Sequence, residues 1–175
     1  MRVFFGFWVP TITAGLCVGA IANEVHSSGQ RSVRVAGSGT DLLNGAIVHS
    51  EKKTATGKFL KSTEIIELNG DLHGRVLYHV MSTIDLEKGT LVNTGDQVFS
   101  GTIAGSEPVM LHDSRFRFEV NLATGAESGA VYLFNHIAGP HIQCTLKVVG
   151  TGRNGEGNPT FDYEGECIFR DQRAG

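Results

Sequence analysis

Leu68-Asn69-Gly70-Asp71-Leu72-His73-Gly74 and, thirty-one residues on, Phe99-Ser100-Gly101-Thr102-Ile103-Ala104-Gly105 share one spacing. In each, an apolar residue, a glycine, an apolar residue and a glycine occupy alternate positions, which places all four on one face of a strand. Glycine on the packed face of a strand marks a bend, a bulge or a close backbone approach, the devices that curl a sheet into a barrel.

Strand patterns continue on both sides of these segments. Working outward gives strands at 62–72, 75–83, 97–103, 115–122, 130–138, 142–149 and 161–169, separated by turn signals such as Glu87-Lys88-Gly89, Gly105-Ser106-Glu107-Pro108 and Thr124-Gly125. The clearest is Arg115-Phe116-Arg117-Phe118-Glu119-Val120-Asn121-Leu122, whose strict alternation sends Phe116, Phe118, Val120 and Leu122 inward. Gly139-Pro140 fits a type II′ hairpin that would pair Ile137 with Ile142. On that register Val131, Leu133, Asn135 and Ile137 share a face with Cys144, Leu146 and Val148. No helical periodicity stands out, so the expected fold is all-β: one antiparallel, closed barrel of about eight strands.

The chain's ends set the size of that barrel. Arg2 precedes an apolar run that closes on Ala20-Ile21-Ala22, the pattern of a secretory signal peptide spanning 1–22. Pro10, Thr11 and Thr13 interrupt the run and argue against a membrane anchor. About 150 residues then remain, enough for one domain with one core. Residues 23–60 read as a polar, loose start with room for one strand near Leu42 to Val48, and residues 61–171 as the barrel.

Charge and cysteine usage point the same way. The chain carries 15 basic against 18 acidic residues, a mild acidity that argues against nucleic acid as a partner. Lys52, Lys53, Lys58 and Lys61 form the sole basic cluster and read as a solvated face. Export to the periplasm or beyond would favour a disulfide between Cys144 and Cys167, the two cysteines outside the leader. Folding 142–149 onto 161–169 about the glycine-rich stretch 151–159 sets them opposite each other; two separate buried thiols are the alternative.

Polar residues on the inward face are the candidates for chemistry, because buried polar groups cost free energy unless they find partners. Glu64 precedes Ile66, Leu68 and Gly70, Gln97 precedes Phe99 and Gly101, Asn135 interrupts an apolar row, and Tyr163 lies on the same side. In 75–83 either Tyr78 or His79 turns inward. The candidate catalytic set is therefore Glu64, Tyr78, His79, Asn135 and Tyr163, with a carboxylate in apolar surroundings doing acid and base work. Each has a plain structural reading as well: Glu64 and Gln97 stand near strand starts, where they could reach water. No His-x-His or His-Glu-x-x-His spacing points to a metal, no Gly-x-Ser-x-Gly to a serine nucleophile, and the glycines of 150–157 lack the following helix of a phosphate loop.

The glycine-marked repeats, the meander and the closing Phe161-Asp162-Tyr163-Glu164-Gly165-Glu166-Cys167-Ile168-Phe169 segment resemble the allene oxide cyclase-like barrels and the related dirigent proteins over roughly 62–169. A lipocalin-type barrel fits the same pattern. The resemblance implies an apolar barrel interior, often within a homo-oligomer, and catalysis without a cofactor. The expected function is a cofactor-free isomerase, cyclase or lyase acting on a hydrophobic small molecule, or else a carrier or scavenger of one. A packed, purely structural barrel is the third reading, against which stands a mature chain left with few aromatic residues once Phe4, Phe5, Phe7 and Trp8 depart with the leader.

Overall fold

The computed structural model describes residues 29–170; the signal-peptide expectation for 1–22 lies outside them. Eleven strands form one antiparallel sheet: β1 (Gln30–Asp41), β2 (Ile47–Lys53), β3 (Gly57–Gly70), β4 (Leu72–Asp85), β5 (Thr90–Ile103), β6 (Val109–Asp113), β7 (Arg117–Asn121), β8 (Glu127–Leu133), β9 (Asn135–Ala138), β10 (Ile142–Arg153) and β11 (Pro159–Arg170). Following the pairing from β1 through β3, β4, β5, β7, β8, β10 and β11 leads back to β1, so eight strands close a barrel. Outside that ring, β2 pairs with β3 in the line that β1 leaves at the short helical turn Leu43–Gly45. β6 continues the wall beyond β7 on β5, and β9 pairs with β6.

The alternation expected from the sequence holds along most of the wall. Leu72, Val76, Tyr78, Val80 and Ser82 of β4 are buried, whereas Leu77, His79 and Met81 lean outward. One end of the barrel is plugged. Phe99, Leu72, Ile103, Leu111, Leu133, Ile142 and the bridged Cys144–Cys167 pair are fully buried there. Both glycine repeats belong to this end: Gly74 faces Gly101 across β4 and β5, where a Cβ on either would strike the opposite strand's backbone. Gly70, at φ +106°, turns the chain into β4 through the single residue Asp71. The Asp71 carboxylate and backbone N–H tie that turn to Ala36 of β1.

Several expectations are corrected. Residues 30–41 form a full barrel strand, so the barrel begins at Gln30 rather than near 61, and β2 occupies 47–53. β1 hid because its inward row runs Val33, Val35, Gly37, Gly39, Asp41: two glycines replace apolar residues where Tyr163 and Phe161 of β11 fill the space. A further strand, β6, was missed, and β5 begins seven residues before 97. The Gly139 backbone does adopt a positive φ of 84°, but β9 pairs with β6 and not with β10. Alternation breaks at Phe134, between β8 and β9, so Asn135 and Ile137 leave the inward face and are exposed.

Candidate functional site

At the end opposite the plug the barrel stays open, around a cavity of about 590 Å³. That volume suits a small-molecule ligand. Its depth is apolar, with Ile66, Leu68, Val76, Phe118, Val131, Leu133, Leu146 and Val148 in the wall. Leu43 of the short helical turn after β1 lines it nearer the mouth, with Leu60, Ile84, Leu91 and Leu122 at or beside the ends of β3, β4, β5 and β7.

Charge enters this lining, among the described residues, through Asp41, Glu64, Glu127 and Arg153 only. Asp41 is the last residue of β1 and pairs with Ile66 of β3. Glu64, two residues from Ile66 on the same face, is its diagonal neighbour. Glu127 opens β8, on the row that continues to Gly129, Val131 and Leu133. Arg153 reaches the site because β10 carries a bulge between Gly150 and Gly152, which shifts the register by one residue. Its Nη1 donates to the Gly157 carbonyl oxygen at 2.6 Å, so the β10–β11 turn holds the guanidinium.

The carboxyls differ in their electrostatic surroundings. Burial raises the Asp41 pKa from 3.8 to about 8, and the Glu64 charge and hydrogen bond and the Glu127 charge push the same way against Arg153. Burial also raises Glu127, opposed by Arg153. Glu64 accepts a hydrogen bond from the buried Ser62 hydroxyl at 2.6 Å. Tyr78 is held neutral well above its usual range, first by burial and then by the charges of Asp41, Glu64 and Glu127, while a hydrogen bond from the Asn93 side chain opposes them. Among the described residues, two buried side-chain polar atoms have no hydrogen-bond partner, Asp41 Oδ1 and Asn93 Oδ1. Both residues line the cavity.

Of the five residues chosen from sequence, Glu64, Tyr78 and Tyr163 line the cavity. The Tyr163 hydroxyl is committed to the wall: it receives the Leu72 N–H at 2.7 Å and lies 3.1 Å from the Asn69 and Leu72 carbonyl oxygens. His79 and Asn135 sit on the barrel exterior. There a polar row runs from His79 Nδ1 to Asp96 Oδ1 at 3.2 Å, to His112 Nε2 at 3.9 Å from that oxygen, and on to Asn135, whose Nδ2 is 3.3 Å from His112 Nδ1. No group of three or more His, Cys, Asp or Glu side chains among the described residues is arranged to hold a metal. Gln97 is buried rather than at the rim, and its amide nitrogen donates to Asp113 at 3.1 Å. Asp113 also accepts the Arg115 and Tyr132 backbone N–H groups, which fixes the bend from β6 to β7.

Sequence reasoning missed Asp41, Asn93, Glu127 and Arg153. Asn93 and Glu127 were legible by extending the alternation upstream of Gln97 and Val131. Arg153 was not, because a bulge has no period. Comparison with protein-family models, with curated proteins and with solved structures finds no match.

Proposed function

We propose that the barrel is a cofactor-free acid–base catalyst, an isomerase, cyclase or lyase, acting on a hydrophobic small molecule held in its cavity. The observation that carries this reading is the pairing of Asp41 with Glu64 at the top of an apolar chamber. Two neighbouring carboxyls can divide the roles of acid and base between them. Asp41, protonated at neutral pH, donates its proton to a substrate heteroatom, and the Glu64 carboxylate, steadied by Ser62, removes one from carbon. Proton transfer of this kind contributes roughly 10²- to 10⁴-fold in rate. The apolar wall adds to it by holding one substrate conformer and excluding water. Tyr78, kept neutral, is a hydrogen-bond donor to the developing charge. The likeness to allene oxide cyclase-like and dirigent barrels belongs to this proposal too, as do export and assembly into a homo-oligomer.

The same chamber serves a carrier, and the apolar lining on its own favours that second reading. Incubating hydrophobic metabolite extracts with the protein in heavy water separates the two. An enzyme converts one compound or exchanges a carbon-bound proton for deuterium, and Glu64→Gln and Asp41→Asn abolish the change. A compound that is retained and returned unaltered makes the protein a carrier.

A further inference from the structure

We propose that the ligand of this cavity carries a cationic nitrogen, so that the substrate class is an apolar amine or ammonium compound with its chain directed toward the plug. The inference rests on the cavity being the binding site and deepens that reading. Three independent features of the lining agree on a cation.

Hydrogen-bonding capacity comes first. Of the two buried unpartnered side-chain atoms, Asn93 Oδ1 is an acceptor in every state and Asp41 Oδ1 becomes one when its carboxyl loses the proton; both residues line the chamber. A buried acceptor without a donor costs free energy. An ammonium group brings up to three N–H donors and no acceptor, whereas a carboxylate brings acceptors only.

Charge is the second feature. Three carboxyl groups face one guanidinium in the lining, and that guanidinium is tied to the Gly157 carbonyl. Even with Asp41 set aside, two carboxyl groups, Glu64 and Glu127, share the lining with the single guanidinium of Arg153. That set suits a cation better than an anion. Mutual repulsion in a low-dielectric chamber, which a bound cation relieves, is part of what raises Asp41.

Aromatic surface is the third. Tyr78 packs beside Phe118, with ring centroids 6.3 Å apart, and both line the cavity; the Tyr78 hydroxyl feels the charges of Asp41, Glu64 and Glu127. Aromatic rings next to carboxylates are the chemistry that receives ammonium groups.

Isothermal titration of the purified protein with octylammonium, 1-octanol and octanoate at pH 7 tests this. All three carry the same chain, so the head group alone ranks them. We expect octylammonium to bind at least about tenfold more tightly than octanoate, with 1-octanol between them. Octylammonium affinity rises from pH 6 to pH 9, because cation binding and proton loss at Asp41 favour each other. Glu127→Gln narrows the gap between the ammonium and the alcohol, and a gap of unchanged width contradicts the part assigned to this carboxyl. Octanoate binding as tightly as octylammonium overturns the cation assignment while the cavity reading stands. Binding by none of the three overturns both.

Discussion

Tyr163→Phe removes one hydroxyl that serves three backbone groups, at 2.7 Å from Leu72 N and 3.1 Å from the Asn69 and Leu72 carbonyl oxygens. The ring is buried, so phenylalanine refills its volume and packing changes little. What remains is the Leu72 N–H, enclosed without an acceptor. A buried donor left unsatisfied costs about 1–3 kcal/mol, so a loss of about 2 kcal/mol is expected. In a domain of this size each kcal/mol moves the midpoint by roughly 2–4 °C, which gives a fall of about 4–8 °C. Thermal and urea unfolding followed by circular dichroism measure it, alongside octylammonium binding by the folded variant. Binding should persist, because the hydroxyl belongs to the β3–β4 turn rather than to the charged mouth. A midpoint within 1 °C of wild type, or abolished binding at unchanged stability, refutes this assignment.

Asp41→Asn gives a pH signature. The unfolded chain releases the Asp41 proton near 3.8 and the folded one near 8, so this group's contribution to stability falls as pH rises between those values and levels off above. Asp41→Asn should therefore be more stable than wild type at pH 8.5 and match it near pH 4, as urea midpoints at the two pH values will show. Turnover that uses Asp41 as the acid should decline above about pH 8, and a kcat/KM profile without that limb contradicts its role. Replacing Cys144 and Cys167 with serine should cost about 3 kcal/mol, read from urea unfolding, since the bridge closes a loop with a sequence separation of 23. Gly37→Ala should abolish soluble folded protein, because its Cβ would overlap the Asn69 carbonyl oxygen and the Tyr163 hydroxyl. Asn135→Ala should leave ligand affinity unchanged, as the residue lies on the outer wall; a tenfold loss by titration contradicts that placement.

The barrel was legible wherever inward residues are apolar. The row Phe116, Phe118, Val120 shows period two directly, and the Cys144–Cys167 register followed from folding 142–149 back on 161–169. It was hidden where glycine stands in for a side chain supplied from across the sheet. Gly37 and Gly39 make β1 look like a loop until Tyr163 and Phe161 are known to occupy their space. The site was half visible for a related reason. Glu64 and Tyr78 interrupt apolar rows and so declared themselves, whereas Asp41 sits at the end of the disguised strand and Arg153 beyond a bulge. Asn135 misled because alternation was carried through Phe134, where β8 stops and the chain leaves for β6.

The most direct test of the central claim is a carbon-13 NMR titration of the side-chain carboxyls from pH 3 to pH 10, with Asp41→Asn to assign the resonance. A carboxyl that titrates near 8, vanishes in Asp41→Asn and shifts when octylammonium is added is the predicted result. Every carboxyl titrating below 5 would contradict it and remove the acid from the proposed chemistry.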